Sequence, residues 1–477
     1  MKQTVFVKIT LVVGLACFPA LWGSGRAALA AQELPSPEAG VPEAGVPETG
    51  APEAAAPEDA ALEPPRAEYR EAAVPAFIDT AFADTALTVP AGTEYAGMTR
   101  LARGPHRTVE AGFDLGLFAA NNVAALGDIF NIRRTITLNF NKISVRALSL
   151  GAGADAEVFF NLAIGKANGD AIGQAPGGLR FGFFAEAEAS GYAWASKDLI
   201  RFLKEGNSTP DVNGTGRAGM SAFAAAGLTA SFPVKRLMIT ARPAVYVPLI
   251  YAVPRSVRYN AVIGMDLSLD ADVVMDLYSA WPIQDGSMVP EGSLPLGADL
   301  SLAAVYPLLP RLDLGVTLGH IPLFPAALHH RSRFEAHYRY DLQNGLDADD
   351  PVTAPEPDGD FLAFRPLRVQ FFAEYLPVAE IDLFVIRPAI GFSLLTVYGY
   401  GEFCFNAELE GQVNILKGFS MKLSTALRER IYRQSLSFMI NTRVFELHLR
   451  LSLQGTDFAS SFSARGVGVS VGMRFGY

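Results

Sequence analysis

Apolar and polar residues alternate strictly along the segment Phe445 to Gln454, FELHLRLSLQ. This period of two predicts a β-strand, because successive side chains of a strand point to opposite faces of its sheet. One face is purely apolar, and the other consists of Glu446, His448, Arg450 and Ser452. Charges on one face of a strand that is otherwise apolar are typical of a barrel wall with a wet lumen, so we expect these four side chains to face the lumen. This strand alone would also fit a soluble β-sandwich.

The last eleven residues, VGVSVGMRFGY, alternate in the same way and finish on an aromatic residue in phase with the apolar face. The segment resembles the C-terminal signal by which the outer-membrane assembly machinery recognises bacterial β-barrels. The positions that carry this resemblance are Ser470, Gly472, Phe475 and Tyr477. The resemblance implies the barrel-assembly machinery as a partner, whereas the alternative is the final strand of a soluble sandwich.

Alternating segments recur from about Arg133 to Tyr477, and two kinds of connection separate them. Four connections are short, contain an aromatic or a proline, and lie at Phe232 to Arg236, Tyr306 to Arg311, Tyr375 to Glu380 and Ile415 to Phe419. The longer polar connections lie at about Lys166 to Gly178, Ser196 to Arg217, Trp281 to Leu294 and Pro322 to Asp360. Short turns on one rim and long loops on the other are typical of an outer-membrane barrel. We therefore predict an all-β, antiparallel transmembrane barrel over residues 133–477, with about fourteen strands and twelve to sixteen accepted.

The composition supports a membrane protein that has no helical span. Apolar residues make up 50% of the chain and charged residues only 18%. After the first thirty residues, no stretch approaches the ~18 uninterrupted apolar residues that a spanning helix needs. Strands are therefore the predicted means of crossing the outer membrane, and its lipid is an expected partner.

Met1 to Ala30 has the features of a secretory signal peptide, with Lys2 and Lys8 before an apolar stretch and small residues at its end. An alternative is a lipoprotein box that ends at Cys17. Cleavage after Ala30 leaves 36 basic and 49 acidic residues, a net charge of −13. This acidic balance does not favour a nucleic-acid partner.

Ala31 to Pro65 repeats Glu every five residues, with proline beside most of these positions and no basic residue. Proline opposes helix and sheet, and like charges extend the chain, so we predict a disordered acidic tether. Binding of a cationic partner is the alternative to this role as a spacer.

The segment from Arg66 to Ile132 is predicted to form a small helical plug inside the barrel, with short helices at Pro75 to Ala86 and Ala119 to Phe130. A brief extended piece, Gly112 to Phe118, is predicted to lead into the second helix. Large apolar residues are too few in it for an independent core, although a small periplasmic subdomain is the alternative. The polar residues that we assign to the plug are Asn121, Asn122 and Asp128.

No nucleotide-binding, hydrolase or zinc motif occurs in the chain. His329 and His330, with His320 and His337 nearby, are interpreted as solvated loop histidines rather than metal ligands. His448 could act with Ser437 or Ser452 in catalysis, but the sequence brings these residues together by chance only and shows no catalytic motif around them. We expect neither a cofactor nor a metal, and no enzymatic activity.

The stretch Ala119 to Ile143, AANNVAALGDIFNIRRTITLNFNKI, together with the proline-containing turns and the terminal signal, resembles spirochaete outer-membrane barrels of the FadL-like group. The resemblance implies a monomeric fourteen-stranded barrel with an N-terminal plug that passes long-chain fatty acids or other hydrophobic molecules. The Asn-Pro-Ala element of the enterobacterial transporters is missing. Two apolar loop elements, Ile321 to Pro325 and Phe361 to Phe364, are consistent with hydrophobic substrates. The alternative is that they only pack the loops against one another. The alternatives are an open porin for small polar solutes and an adhesin or structural barrel that acts through its outer loops.

Overall fold

A computed structural model describes residues 108–477, apart from 122–147, 165–178, 196–211, 263–267 and several shorter breaks. The predicted signal peptide, the acidic tether and the plug segment before residue 108 therefore lie outside the described residues. So do Asn122 and Asp128.

Fourteen antiparallel strands form a closed barrel, as predicted from the alternating pattern. Each strand pairs with the next one around the barrel in chain order, and the last pairs with the first. The barrel strands are β1 (Val109–Asn121), β2 (Leu148–Ile164), β3 (Leu179–Ala195), β4 (Val212–Val234), β5 (Leu237–Val262), β9 (Gly297–Leu309), β10 (Leu312–Phe324), β16 (Leu367–Tyr375), β17 (Phe384–Val397), β18 (Tyr400–Leu416), β19 (Phe419–Arg428), β20 (Ile431–Asn441), β21 (Phe445–Gly455) and β22 (Gly466–Gly476).

The barrel closes where β1 pairs with β22, from Glu110 opposite Gly476 to Ala120 opposite Gly466. Backbone hydrogen bonds extend this seam to the last residue, because the Tyr477 carbonyl accepts from Thr108 N–H at 2.5 Å and the Tyr477 N–H donates to the Val109 carbonyl at 3.2 Å. Closure leaves no open sheet edge at this seam, which a barrel in lipid requires.

The N-terminal boundary predicted for the barrel is wrong. Residues 109–121, which we assigned to the plug, form strand β1, and the predicted helix at Ala119 to Phe130 begins with strand residues. The segment FDLGLF alternates, so that Asp114 and Gly116 lie on the inner face while Leu115 and Leu117 are exposed on the outer face. The extended piece predicted at Gly112 to Phe118 is therefore part of a barrel strand and not a lead into a plug helix.

The topology places the four predicted short turns on one rim of the barrel, together with the start of β1 and the end of β22. For an outer-membrane barrel this rim faces the periplasm. One prediction about the loops is wrong: the connection 165–178 joins Ile164 and Leu179, which pair with each other at this same rim. The other three long connections join strand ends at the opposite, outer rim.

The barrel sheet itself continues beyond the outer rim through four further strands. The outer part of β5 pairs with β6, β6 pairs with β12, and β12 pairs with both β13 and β14. The bounds of these strands are β6 (Ser268–Ser279), β12 (His330–Asp341), β13 (Gly345–Ala348) and β14 (Val352–Pro355). The remaining elements are β7 (Ile283–Gln284), β8 (Ser287–Met288), β11 (Ala326–Leu328), β15 (Phe361–Ala363) and the short helix α1 (Phe458–Ser461).

The outer face of the barrel carries a band of exposed large apolar side chains. Examples on separate strands are Leu117, Phe183, Leu228, Ile390 and Phe403, each more than half exposed. In water so large an apolar surface would promote aggregation, whereas in a bilayer it matches the hydrocarbon. No helix within the described residues is long and apolar enough to span a membrane.

Candidate transport lumen

The structure places the four predicted lumen residues on the inner face of β21. Glu446 and Ser452 are buried there, and His448 and Arg450 are half-buried on the same face. Leu451 lies on the opposite face with 44% of its surface exposed. That these four side chains line a transport path stays a prediction.

Ion pairs cross the lumen from one wall to another. Arg368 on β16 donates from Nη2 to Glu188 Oε1 on β3 at 3.0 Å. Strands β3 and β16 are separated around the barrel by β4, β5, β9 and β10, so this contact follows a chord through the interior and not the wall. Arg365, just before β16, contacts Glu186 on β3 in the same way and Asp299 on β9 at 3.4 Å.

Arg242 on β5 joins this group into one network. Its guanidinium lies 2.7 Å from Glu157 on β2 and 3.7 Å from Glu186, and it covers the Phe184 ring at 3.8 Å. Buried ion pairs add little net stability, because desolvation of the charges offsets much of their attraction. The main effect of the network is to fix the position of residues 365–368 relative to the glutamates of β2 and β3.

A two-stranded ribbon lies inside the barrel next to these ion pairs. It consists of β11 and β15, and its residues Ala326 and Leu328 are fully buried. The ribbon packs on the inner-face aromatic patch, which we define as Phe223, Tyr246 and Tyr251. Phe361 of the ribbon also stacks on Tyr278 at 4.5 Å. The segments 326–328 and 361–363, which belong to the connection predicted as an outer loop, therefore fold back into the lumen.

Tyr246 anchors the ribbon to β5. Its hydroxyl lies 3.0 Å from the Ala363 carbonyl and 3.2 Å from the Phe324 carbonyl, and it can donate to either oxygen. A glycine on β9 makes room for the ring, since a Cβ at Gly297 would lie 2.3 Å from it. The apolar loop element that includes Phe361 thus packs the ribbon, while Leu323 and Phe324 of the other element are exposed.

His320 is not a solvated loop residue, contrary to our interpretation. It lies on the inner face of β10 with 1% of its surface exposed, and its φ of 54° belongs to an irregular position in the pairing of β10 with β9. Its Nδ1 is 3.1 Å from the Pro366 carbonyl, next to Arg365. Nothing in the spacing of the histidines distinguished this one. Among the residues with described coordinates, no group of His, Cys, Asp and Glu has the geometry of a metal site.

In the wall formed by β18 to β21, ion pairs join neighbouring strands and do not cross the lumen. Glu408 contacts Arg428, and Glu410 accepts from Lys422 Nζ at 3.2 Å, in both cases between the neighbouring strands β18 and β19. These ion pairs lie along the wall and leave the interior uncrossed. Farther along, Arg433 on β20 and Arg450 on β21 line a partly open cavity in the inner wall.

The residues of the predicted assembly signal lie in β22 and just after it. Ser470 and Gly472 are on the inner face, whereas Phe475 is exposed on the outer face with its ring 5.3 Å from that of Phe445. Tyr477 is exposed at the periplasmic rim. Asn121 is a rim residue of β1 and donates from Nδ2 to the Arg465 carbonyl at 2.6 Å.

Sequence reasoning missed the residues that cross the lumen. Glu186 and Glu188 alternate with alanines in FFAEAEAS, a signal that could have placed them on an inner face. Arg365 and Arg368 follow the ribbon, and no local pattern shows that their partners are some 180 residues earlier. Only the closed topology brings these four together.

An apolar outer band and a charged, obstructed interior place the chain in the class of transmembrane β-barrels of the outer-membrane type.

No protein-family model and no curated protein matches the chain. Among solved structures, it is similar to the toluene transporter TodX of Pseudomonas putida, with 9% identity, a TM-score of 0.42 and coverage of 78% of this chain and 91% of that one. A FadL homologue from Pseudomonas aeruginosa matches with 10% identity, a TM-score of 0.33 and coverage of 77% and 88%. OprB of Pseudomonas putida matches with 8% identity, a TM-score of 0.26 and coverage of 81% and 98%. Likenesses this distant assign no substrate.

Proposed function

We propose that this protein is an integral outer-membrane channel for amphipathic small molecules, with long-chain fatty acids as the candidate substrates. It acts by passive diffusion as a monomer, without catalysis or a cofactor. Export by the N-terminal signal peptide and insertion by the barrel-assembly machinery belong to the same proposal.

One observation carries this proposal: an aromatic patch and a set of charged groups adjoin each other inside a closed barrel. The patch of Phe223, Tyr246 and Tyr251 suits an apolar tail, and the arginines that follow the ribbon begin two residues after Ala363. Binding sites for amphipathic ligands combine an apolar lining with a few placed polar groups.

The ribbon occupies the aromatic patch in the described structure, so a substrate must displace it or pass beside it. Displacement exposes apolar surface, which an acyl chain then covers at a gain of roughly 0.8 kcal/mol per buried CH₂. A small polar solute cannot compensate for this exposure. The in-folded ribbon therefore favours amphipathic over polar substrates. A plug formed by residues before 108 would add a second barrier and remains part of the proposal.

Single-channel recording separates this function from an open pore. The purified protein in a planar bilayer should be nearly silent, since ion pairs and the ribbon cross the lumen. Liposomes that contain the protein should then admit a fluorescent long-chain fatty acid faster than protein-free liposomes. Large stable currents, or no uptake above the control, would contradict the proposal.

A porin for small polar solutes is the second candidate, and the charges on the inner face favour it. Acidic and basic side chains line β2, β3, β5, β18 and β19, as in a water-filled lumen. Swelling of liposomes in small sugars is the discriminating measurement. Rapid swelling together with stable currents would support the porin.

A further inference from the structure

A cavity in the inner wall brings two arginines together along the consecutive strands β20, β21, β22, β1 and β2. Arg450 lies halfway along β21, and Arg433 is two residues from the outer end of β20, so the cavity is in the outer half of the lumen. Its polar lining consists of Asp155, Arg433, Arg450, Ser452, Gln454 and Ser470.

Neither arginine forms an ion pair within the described part of the chain. Arg450 donates only from Nε to Ser437 Oγ, at 3.3 Å. The other basic groups on this wall differ, because Lys422 and Arg428 each contact a glutamate of the neighbouring strand. Glu408 interacts electrostatically with both arginines at longer range, as does Asp155 with Arg433 and Glu410 with Arg450. Cationic side chains held inside a protein are normally in contact with an acid, so two arginines without an acid at contact distance favour an anionic ligand.

The charge and shape of the cavity agree with this interpretation. Asp155 is the one acidic side chain in its described lining, against two guanidinium groups. Asp155 lies close against Gly116, where a Cβ would be 2.3 Å from its Oδ1. Guanidinium groups bind planar oxyanions through paired N–H donors, and Ser470 adds a hydroxyl to the lining. Ser452 already donates to the Gly468 carbonyl, and Gln454 donates to Ser452.

We propose that Arg433 and Arg450 form an oxyanion site that receives the carboxylate head group of an amphipathic substrate. The inference rests on the proposed function for the identity of this ligand. Phe118, which lies on the inner face of β1, also lines the cavity and offers apolar contact to the chain next to the head group.

The test compares a fluorescent fatty acid that has a free carboxylate with its methyl ester, using the full protein in detergent micelles. The wild type should bind the acid about ten- to a hundredfold more tightly than the ester, the range expected for charge-assisted hydrogen bonds. The double variant R433Q/R450Q should bind the acid only as well as the ester. R433K/R450K should keep part of the preference, and K422Q, which removes a paired cation from the same wall, should keep all of it. Heat-modifiable migration on a gel confirms that each variant is folded.

The outcomes separate the site from the proposed function. Equal binding of acid and ester to the wild type overturns the site but leaves amphiphile transport standing. An equal loss of acid and ester binding in R433Q/R450Q also overturns it, because a structural effect would act on both. Binding of neither probe overturns the site and the proposed function together. Competition by inorganic phosphate against the acid alone supports the site and extends its ligands to free oxyanions.

Discussion

The two sides of this barrel differ in how regular their strand lengths and strand pairings are. We call residues 384–476 with β1 the regular wall, and residues 212–375 the elaborated wall. Strands of the regular wall are 10 to 17 residues long, and β19, for example, pairs without interruption with β20. In the elaborated wall β5 has 26 residues, and its pairing with β4 is broken by irregular positions such as the one at Ala222 and Phe223.

Excess strand length explains much of this difference. A tilted strand crosses a bilayer in about 9–11 residues, so more than half of β5 is not needed for the crossing. The surplus pairs with β6, which in turn pairs with β12. The connection after β10 returns into the lumen as the ribbon. The regular wall provides a scaffold, and the elaborated wall provides the obstruction.

The cross-lumen ion pairs give the strongest test of this contrast. In the double variant R365Q/R368Q, the contacts to Glu186, Glu188 and Asp299 are lost. If these contacts hold the lumen closed, their loss should raise the time spent conducting by about ten- to a hundredfold, because charge-assisted hydrogen bonds contribute about 1.5–3 kcal/mol. Single-channel recording measures the change.

R428Q is the matched control on the regular wall, since Arg428 pairs with Glu408 on the adjacent strand and crosses nothing. It should stay as silent as the wild type. Equal opening of both variants would mean that general destabilisation opens the barrel, and the contrast between the walls would fail.

The sequence predicted the regular wall better than the elaborated wall. The alternation in Phe445 to Gln454 and in the last eleven residues predicted the barrel and the faces of the regular wall, because in strands a period of two is a local signal. The elaborated wall was predicted only in outline. In the ribbon Ala326 pairs with Ala363, and across the lumen Arg368 forms an ion pair with Glu188. Neither contact is visible in the local sequence pattern of its residues.

The second prediction asks whether both walls face lipid. Leu449→Lys on β21 and Leu228→Lys on β4 each place a charge on the outer face and should lower the free energy of unfolding by roughly 2–4 kcal/mol near the bilayer midplane. His448→Lys, on the inner face next to Leu449, should cost far less. Urea titration of the protein refolded into vesicles gives the values. A tolerated Leu228→Lys would show that this part of the elaborated wall is covered by something other than lipid.

The third prediction concerns the seam at which the regular wall closes. Tyr477→Ser should lower the yield of assembled barrel, because this aromatic ends the predicted recognition signal and its backbone pairs with β1. Tyr306→Ser removes an exposed aromatic near the same rim in the elaborated wall and should assemble nearly normally. The heat-modifiable fraction in isolated outer membranes measures both. Equal yields would remove Tyr477 from the signal.

The smallest expected effect tests how the ribbon is held. Tyr246→Phe keeps the ring in the aromatic patch and removes only the hydroxyl that bonds to the Ala363 and Phe324 carbonyls. A hydrogen bond of this kind contributes about 1 kcal/mol, so brief openings should become roughly fivefold more frequent while the barrel stays folded. Tyr306→Phe, which changes a tyrosine on the outer face, is the control and should leave the current unchanged. If Tyr246→Phe is as silent as the wild type while R365Q/R368Q conducts, the ion pairs alone close the lumen and the ribbon only packs against the wall.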